Sequence, residues 1–276
     1  MIPQDWYWQR GDAFRDFCQW DYDPPCPPAT GMFRQAALLW HSLTLVPCGG
    51  ELAWMFHAIR DAIGPFRTVW GVKSGAGGLS WELYFYDYDR QDRRTGLATL
   101  DKALPGLFAP GLTDADGWPW FMASVEFDAG TVATGRIGCV DLYFEGEGGT
   151  ISAGLSEVWD GRTRRAKNDY RFYRSREDRA AVLRDLAAEP PLPKGFAPGC
   201  FEEEIFVISR KAASNAAYFS RVGIDGTLAF AEAAGLDPRL ARFLRDHRDA
   251  LSPYLFDLGL DHRDGTLLRG AIYGIF

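Results

Sequence analysis

Hydrophobic and polar residues alternate along several short stretches of the chain, and one alternating pattern recurs. Each copy has a tyrosine that follows an apolar residue and precedes phenylalanine or glycine. The copies are Glu82-Leu83-Tyr84-Phe85, Asp141-Leu142-Tyr143-Phe144, Ala216-Ala217-Tyr218-Phe219 and Ala271-Ile272-Tyr273-Gly274. Because side chains alternate faces along a strand, each copy predicts a strand whose tyrosine points away from its apolar neighbours. We therefore expect one structural unit to occur several times.

Turn residues and apolar runs predict about ten antiparallel strands, joined mostly by short links. Helical periodicity predicts helices over 30–46, 52–63, 95–104 and 175–188, and two more that begin near Asp225 and Asp237. No helix is expected among the strands of residues 121–174.

These elements predict a single α+β domain over residues 1–276, with an irregular segment over 1–29 that is rich in Trp, Asp and Pro. Closing a sheet removes its exposed edges, so we expect the strands to curl into a barrel. The helices then pack on the outer face of that barrel.

The two faces of the repeated strands differ in chemistry. Glu82 shares one face with Tyr84, and Asp141 likewise shares a face with Tyr143. A solvent-facing strand usually carries Lys, Thr and Glu, so a row of tyrosines beside carboxylates favours a wet interior. The alternative is that the tyrosines form cross-strand pairs that stabilise the sheet. The pattern leaves both possibilities open.

Basic residues fall on several of the same strands. Counted alternately from Tyr273, Arg269 lies on the tyrosine face, and Lys73 and one of Arg210 and Lys211 take comparable positions. Together they would let a cavity bind an anionic group beside an apolar body. Taken one at a time, each is more typical of a strand-edge cation paired with a surface acid.

Composition limits the partners. The chain has 30 Lys and Arg against 37 Asp and Glu, a net charge of -7, which argues against nucleic acid as the main partner. Its 10 Trp, 11 Tyr and 19 Phe suit a cavity with apolar walls and polar groups, so a small-molecule ligand is expected.

The compartment is predicted from the cysteines and from missing signals. The five Cys are scattered and never form a C-x-x-C pair, which is typical of a reducing compartment. No apolar run approaches the roughly 20 residues of a membrane span, and the first residues lack a signal-peptide pattern. We expect a soluble cytoplasmic protein. The four His show no metal-ligand spacing, so no metal or cofactor is expected.

Three segments carry a family pattern. They are residues 69–75 leading to Glu82-Leu83-Tyr84-Phe85, Arg210-Lys211 followed by Tyr218-Phe219-Ser220 and a helix, and residues 254–275 with Asp264-Gly265 and Arg269. In these segments the chain resembles the soluble aromatic prenyltransferases of the ABBA (ααββ) barrel class. That class encloses its active site in ten antiparallel strands beneath a ring of helices.

The resemblance implies prenyl transfer from an allylic prenyl diphosphate to an aromatic small-molecule acceptor. The residues implied to hold the diphosphate are Lys73, Arg210, Lys211 and Arg269. Those implied to shield an allylic cation are Tyr84, Tyr143, Tyr218 and Tyr273. Glu82 or Asp257 would deprotonate or orient the acceptor. Some members bind Mg²⁺ through an acidic residue in the second strand; this chain has Tyr84 there, which implies a metal-independent variant.

Two other functions remain open on the residues alone. One is a non-catalytic binding protein whose aromatic cavity holds a hydrophobic or aromatic ligand. The other is a structural or regulatory protein whose tyrosines form the sheet core. An open interior with converging Lys and Arg favours the enzyme, an open interior without cations favours the binding protein, and a filled interior favours the structural protein.

Overall fold

The computed structural model describes residues 4–13, 22–87, 93, 95–146 and 153–276. Within the predicted irregular segment over 1–29, the described residues form a 3₁₀ turn, Gln4–Trp6, and an isolated bridge between Tyr7 and Phe33. Among the described residues, no helix has the length and apolar character needed to cross a bilayer.

The strands, in chain order, are β1 Thr68–Gly75, β2 Gly78–Tyr86, β3 Met122–Phe127, β4 Val140–Glu145, β5 Ala153–Trp159, β6 Arg164–Arg174, β7 Ile205–Lys211, β8 Asn215–Val222, β9 Phe256–Arg263 and β10 Thr266–Ile275. The helices are α1 Ala37–Leu43, α2 Gly49–Ile63, α3 Leu97–Ala103, α4 Ala129–Thr134, α5 Arg179–Leu186, α6 Ile224–Ala233, α7 Pro238–Asp246 and α8 Arg248–Leu251. A further 3₁₀ turn spans Leu112–Gly117.

The ten strands form a closed antiparallel barrel. Each strand pairs with the next one along the chain, and β1 pairs with β10 to complete the circle. That closing pair runs from Val69 opposite Ile275 to Gly75 opposite Arg269. The predicted α+β fold with a barrel of about ten antiparallel strands is confirmed.

The hydrophobic core lies between the outer face of the barrel and the helices. Trp70, Trp81 and Leu83 are almost completely buried on that face. The indole N–H of Trp81 donates to the Ser42 hydroxyl of α1 at 2.7 Å, and Phe219 contacts Phe230 of α6 at 6.2 Å between ring centroids. Because the outer face carries the core, alternation leaves the opposite residues of each strand to line the interior.

Two predicted helix positions are wrong. The helix expected from Thr30 begins only at Ala37, because the backbone N–H of Phe33 bonds to the carbonyl of Ala250 instead of to a helical partner. The stretch of residues 121–174, expected to lack helices, contains α4. Asp128 starts α4 by accepting the N–H of Thr131 at 2.8 Å, a capping box closed by Thr where the usual signature has Glu or Gln.

The two ends of the barrel differ. At one end, here called the turn end, the connections β1–β2, β5–β6, β7–β8 and β9–β10 are tight, and β3–β4 carries only α4. At the other end, the loop end, longer connections carry α3 and α5 through α8. Short links at one end and long links at the other give the interior two distinct mouths.

Candidate functional site

A ring of five tyrosines crosses the interior of the barrel. Each adjacent pair of rings lies between 5.8 and 6.3 Å apart from centroid to centroid, and the circle closes on itself. The members of this tyrosine ring are Tyr84, Tyr143, Tyr170, Tyr218 and Tyr273, one from each even-numbered strand. All five line both of the cavities that lie above and below them. The predicted shared face of the four repeated tyrosines is confirmed.

Small residues on the odd-numbered strands make room for these rings. Gly71 lies opposite Tyr273, and Gly259 lies opposite Tyr218. A Cβ atom on Gly259 would sit 2.8 Å from a ring carbon of Tyr218 and 3.1 Å from one of Tyr273. The layer thus alternates large and small side chains around the barrel, as close packing requires.

The fifth member, Tyr170, was missed by the sequence pattern. The other copies have an apolar residue before the tyrosine, whereas Tyr170 lies between Asp169 and Arg171. Arg171 lies on the outer face of β6, is partly exposed and lies near Asp185 and Glu189. The outer face of β6 is therefore charged here and not apolar. Period-two spacing from Phe172 is the signal that could have placed Tyr170 on the interior face.

The cavity on the turn-end side of the tyrosine ring, the polar chamber, has a volume of about 100 Å³. Its charged lining residues are Lys73, Glu82, Glu126, Lys167, Lys211, Asp261 and Arg269. Three of the four cations predicted from the sequence therefore converge here, together with Lys167.

Lys73 and Glu82 form the buried centre of this chamber. The Lys73 ammonium lies 2.5 Å from one oxygen of Glu82 and 2.6 Å from Glu126. Glu82 also accepts the hydroxyl protons of Tyr84 at 2.6 Å and Ser124 at 2.7 Å. Burial alone would raise the pKa of Glu82, but the nearby lysines outweigh it and lower the pKa to about 2. Glu82 is therefore ionised at neutral pH, and both of its oxygens have hydrogen-bond or ion-pair partners.

A second charged group lies across the chamber. Asp261 accepts from Lys211 at 2.6 Å and from Arg269 at 2.5 Å, so two cations share one carboxylate. Burial lowers the pKa of Lys211 against the opposing effect of Asp261. This side of the chamber carries one more positive than negative charge.

The third pair, Lys167 with Asp141, bears on metal binding. Carboxylate oxygens of Glu82, Glu126 and Asp141 lie within 4.8 Å of one another, a spacing that suits a cation. However, Lys167 bonds directly to Asp141, and Lys73 bonds to the other two. A divalent ion would have to displace both ammonium groups, so these residues do not fit a resident metal. The metal-independent variant stays a prediction.

The cavity on the loop-end side, the apolar chamber, has a volume of about 160 Å³. Its walls are mostly apolar, for example Val69, Met122 and Phe172. Asp257 lies on its wall and accepts the backbone N–H of Arg221 at 3.0 Å. Burial raises the pKa of Asp257, and Arg221 opposes the rise. The two carboxylates predicted to act on an acceptor thus face different chambers.

Arg210 is not brought together with the other predicted site residues. It lies on the outer face of β7, where its guanidinium lies 2.5 Å from Glu189 and is half-exposed. The next residue, Lys211, points inward. The sequence left the choice between these neighbours open, and the register of β7 against β8 settles it.

Neither a protein-family model nor a curated protein sequence matches the chain. The closed barrel with ten antiparallel strands and outer helices agrees with the fold that the resemblance implied. The geometry of the two chambers is therefore the basis for proposing a function.

The tyrosine ring should depend on glycine at position 259. Gly259→Ala places a methyl group against Tyr218 and Tyr273, and overpacking of this kind costs about 1–3 kcal/mol. Gly77→Ala is the matched control, because a Cβ there meets nothing within 4 Å. Urea unfolding should show the loss only for Gly259→Ala. Equal stability of the two variants would contradict the packing described for the ring.

The Lys73–Glu82 pair should behave as a unit. Lys73→Met leaves the buried Glu82 without its closest cation, and breaking a buried pair costs about 3–5 kcal/mol. The double variant Lys73→Met, Glu82→Gln carries neither charge and should recover most of that loss. A double-mutant cycle in urea measures this. If the double variant is less stable than the single variant, the pairing is not what holds Glu82.

Proposed function

We propose that the protein transfers a prenyl group from an allylic prenyl diphosphate to an aromatic small molecule inside the barrel. The observation that carries this proposal is the tyrosine ring between a charged chamber and an apolar one. A molecule with an anionic head and an apolar body matches this division. The point where head and body join then lies at the level of the ring.

The diphosphate fits best beside Lys211 and Arg269. These two cations share the single carboxylate of Asp261, so they leave a local surplus of positive charge. Phosphate oxygens accept charge-assisted hydrogen bonds from such groups. Arg269 is partly exposed, with 38% of its side chain accessible, which gives an anion arriving from the turn end a first contact.

The tyrosine ring suits the chemical step. The allylic C–O bond breaks, and its electron pair leaves with the diphosphate. The allylic carbon then bonds to a carbon or heteroatom of the acceptor, whose proton passes to a carboxylate, Glu82 or Asp257. Aromatic faces attract positive charge by about 0.5–2 kcal/mol each, so five rings around the allylic carbon would stabilise the cation. They would also hold water away from it.

One observation favours the second candidate, a non-catalytic protein that binds a hydrophobic or aromatic ligand. In the polar chamber every lysine and arginine has a carboxylate partner among the described residues. The four cations Lys73, Lys167, Lys211 and Arg269 face four anions, Glu82, Glu126, Asp141 and Asp261. A diphosphate must compete with these carboxylates, whereas an uncharged ligand of the apolar chamber need not.

Neighbouring residues on opposite faces of β7 give a sharp test. Lys211→Ala removes an interior cation while Arg269 still pairs with Asp261, and Arg210→Ala removes an exterior one. With dimethylallyl or geranyl diphosphate as donor and phenol or indole as acceptor, Lys211→Ala should lower diphosphate release and prenylated product at least tenfold. That is the effect of one charge-assisted hydrogen bond. Arg210→Ala should keep full activity.

Two results would contradict the proposal. Equal activity of both variants would show that the diphosphate does not bind in the polar chamber. If wild-type protein binds phenol or indole but never releases diphosphate, the protein is a binding protein and not a transferase.

A further inference from the structure

Asp257 is a partly buried carboxyl on the wall of a mostly apolar cavity. It lies in β9 opposite Tyr273, on the interior face. Among the described residues that line the apolar chamber, the other charged side chains are Glu145, which is exposed at the loop end, and Arg221. Ligand cavities of this type fix the orientation of the ligand with a small number of well-placed polar groups.

A β-bulge in β8 positions the carboxyl of Asp257. The register between β8 and β9 shifts between Phe219 and Val222, and Arg221 within the bulge has a φ of 67°. The left-handed region is costly for a residue with a long side chain, and such strain persists where surrounding contacts hold it. Here the Arg221 backbone N–H donates to Asp257 at 3.0 Å, and the Ser220 side chain lies close enough to the same carboxyl to lower its pKa.

Glu82, the other candidate carboxylate, is unsuited to the same task. Its two oxygens are engaged by Tyr84, Ser124 and Lys73. It also lies on the polar side of the tyrosine ring. Of the two, Asp257 is the carboxyl that a ligand of the apolar chamber would contact.

The size of the chamber limits that ligand. A cavity of about 150 Å³ is known to hold a benzene molecule, and the apolar chamber measures about 160 Å³. One aromatic ring therefore fits inside it, and any larger part of the molecule, or a prenyl chain bound at the same time, would have to extend past that ring toward the loop end. A partly buried carboxylate on such a wall attracts hydrogen-bond donors and repels anions.

We propose that Asp257, held by the β8 bulge at Ser220 and Arg221, selects the ligand of the apolar chamber as a single aromatic ring with an O–H or N–H donor and no negative charge. Naming this ligand as the acceptor rests on the proposed prenyl transfer. The proton that the acceptor loses then passes to Asp257. The selection itself needs no donor substrate.

Binding without any prenyl diphosphate tests the selection. Phenol, toluene and benzoate have similar size and differ in carrying a donor, a methyl group or a charge. Their affinities for wild-type protein, Asp257→Leu and Asp257→Asn would be measured by ligand-observed NMR. Glu145→Gln is the matched control, because it removes the exposed carboxylate of the same chamber.

Wild type and Glu145→Gln should bind phenol about tenfold more tightly than toluene, the effect of one hydrogen bond to a charged group, and should bind benzoate least. Asp257→Leu should lose the preference and still bind toluene, which shows that the chamber is intact. Asp257→Asn should bind benzoate better than wild type does.

Equal affinities in wild type, or a preference that survives in Asp257→Leu, would overturn the inference. Loss of toluene binding in both Asp257 variants would show a purely structural role and also overturn it. This outcome is separable from the proposed function. A protein that selects phenol through Asp257 but never releases diphosphate refutes prenyl transfer alone, and transfer that survives in Asp257→Leu refutes the inference alone.

Discussion

The pairing of β1 with β10 is the constraint on which the rest of the structure depends. It joins the first strand to the last over the whole span from Val69–Ile275 to Gly75–Arg269 and turns an open sheet into a barrel. Only in a closed barrel do the inward faces of ten strands meet one another. Closure also brings Tyr273 of the last strand against Tyr84 of the second, with their ring centroids 5.8 Å apart. No sheet edge remains exposed, so none needs protection.

The tyrosine ring then divides what closure encloses. The hydroxyl of Tyr84 bonds to Glu82 and that of Tyr170 accepts from Asn168, so both point toward the polar chamber. Their hydrocarbon faces are left for the apolar chamber. The four cations of the polar chamber and their four carboxylate partners balance in number but are unevenly placed, with two cations around Asp261 and three carboxylates around Lys73 and Lys167. A diphosphate would thus face the cations around Asp261, and a developing allylic cation at the tyrosine ring would face the side that carries the three carboxylates.

Much of this architecture could be predicted from alternation alone. The repeated strands gave the barrel and four of the five tyrosines, because their outward neighbours are apolar and mark the two faces clearly. Tyr170 was not predicted because its outward neighbours, Asp169 and Arg171, are charged. Lys167 and the pairs Lys73–Glu126 and Lys211–Asp261 could not be predicted, because they depend on register between strands far apart in sequence. The inward direction of Lys211, and not of Arg210, is likewise a matter of register.

The central claim is that head and body of one ligand lie on opposite sides of the tyrosine ring. A crystal structure with a non-hydrolysable thiolodiphosphate analogue of geranyl diphosphate tests it most directly. We expect phosphate oxygens within hydrogen-bond distance of Lys211 and Arg269, with the allylic carbon level with the ring and the prenyl chain on the loop-end side of the ring. An analogue that lies wholly in one chamber, or binds outside the barrel, would contradict it.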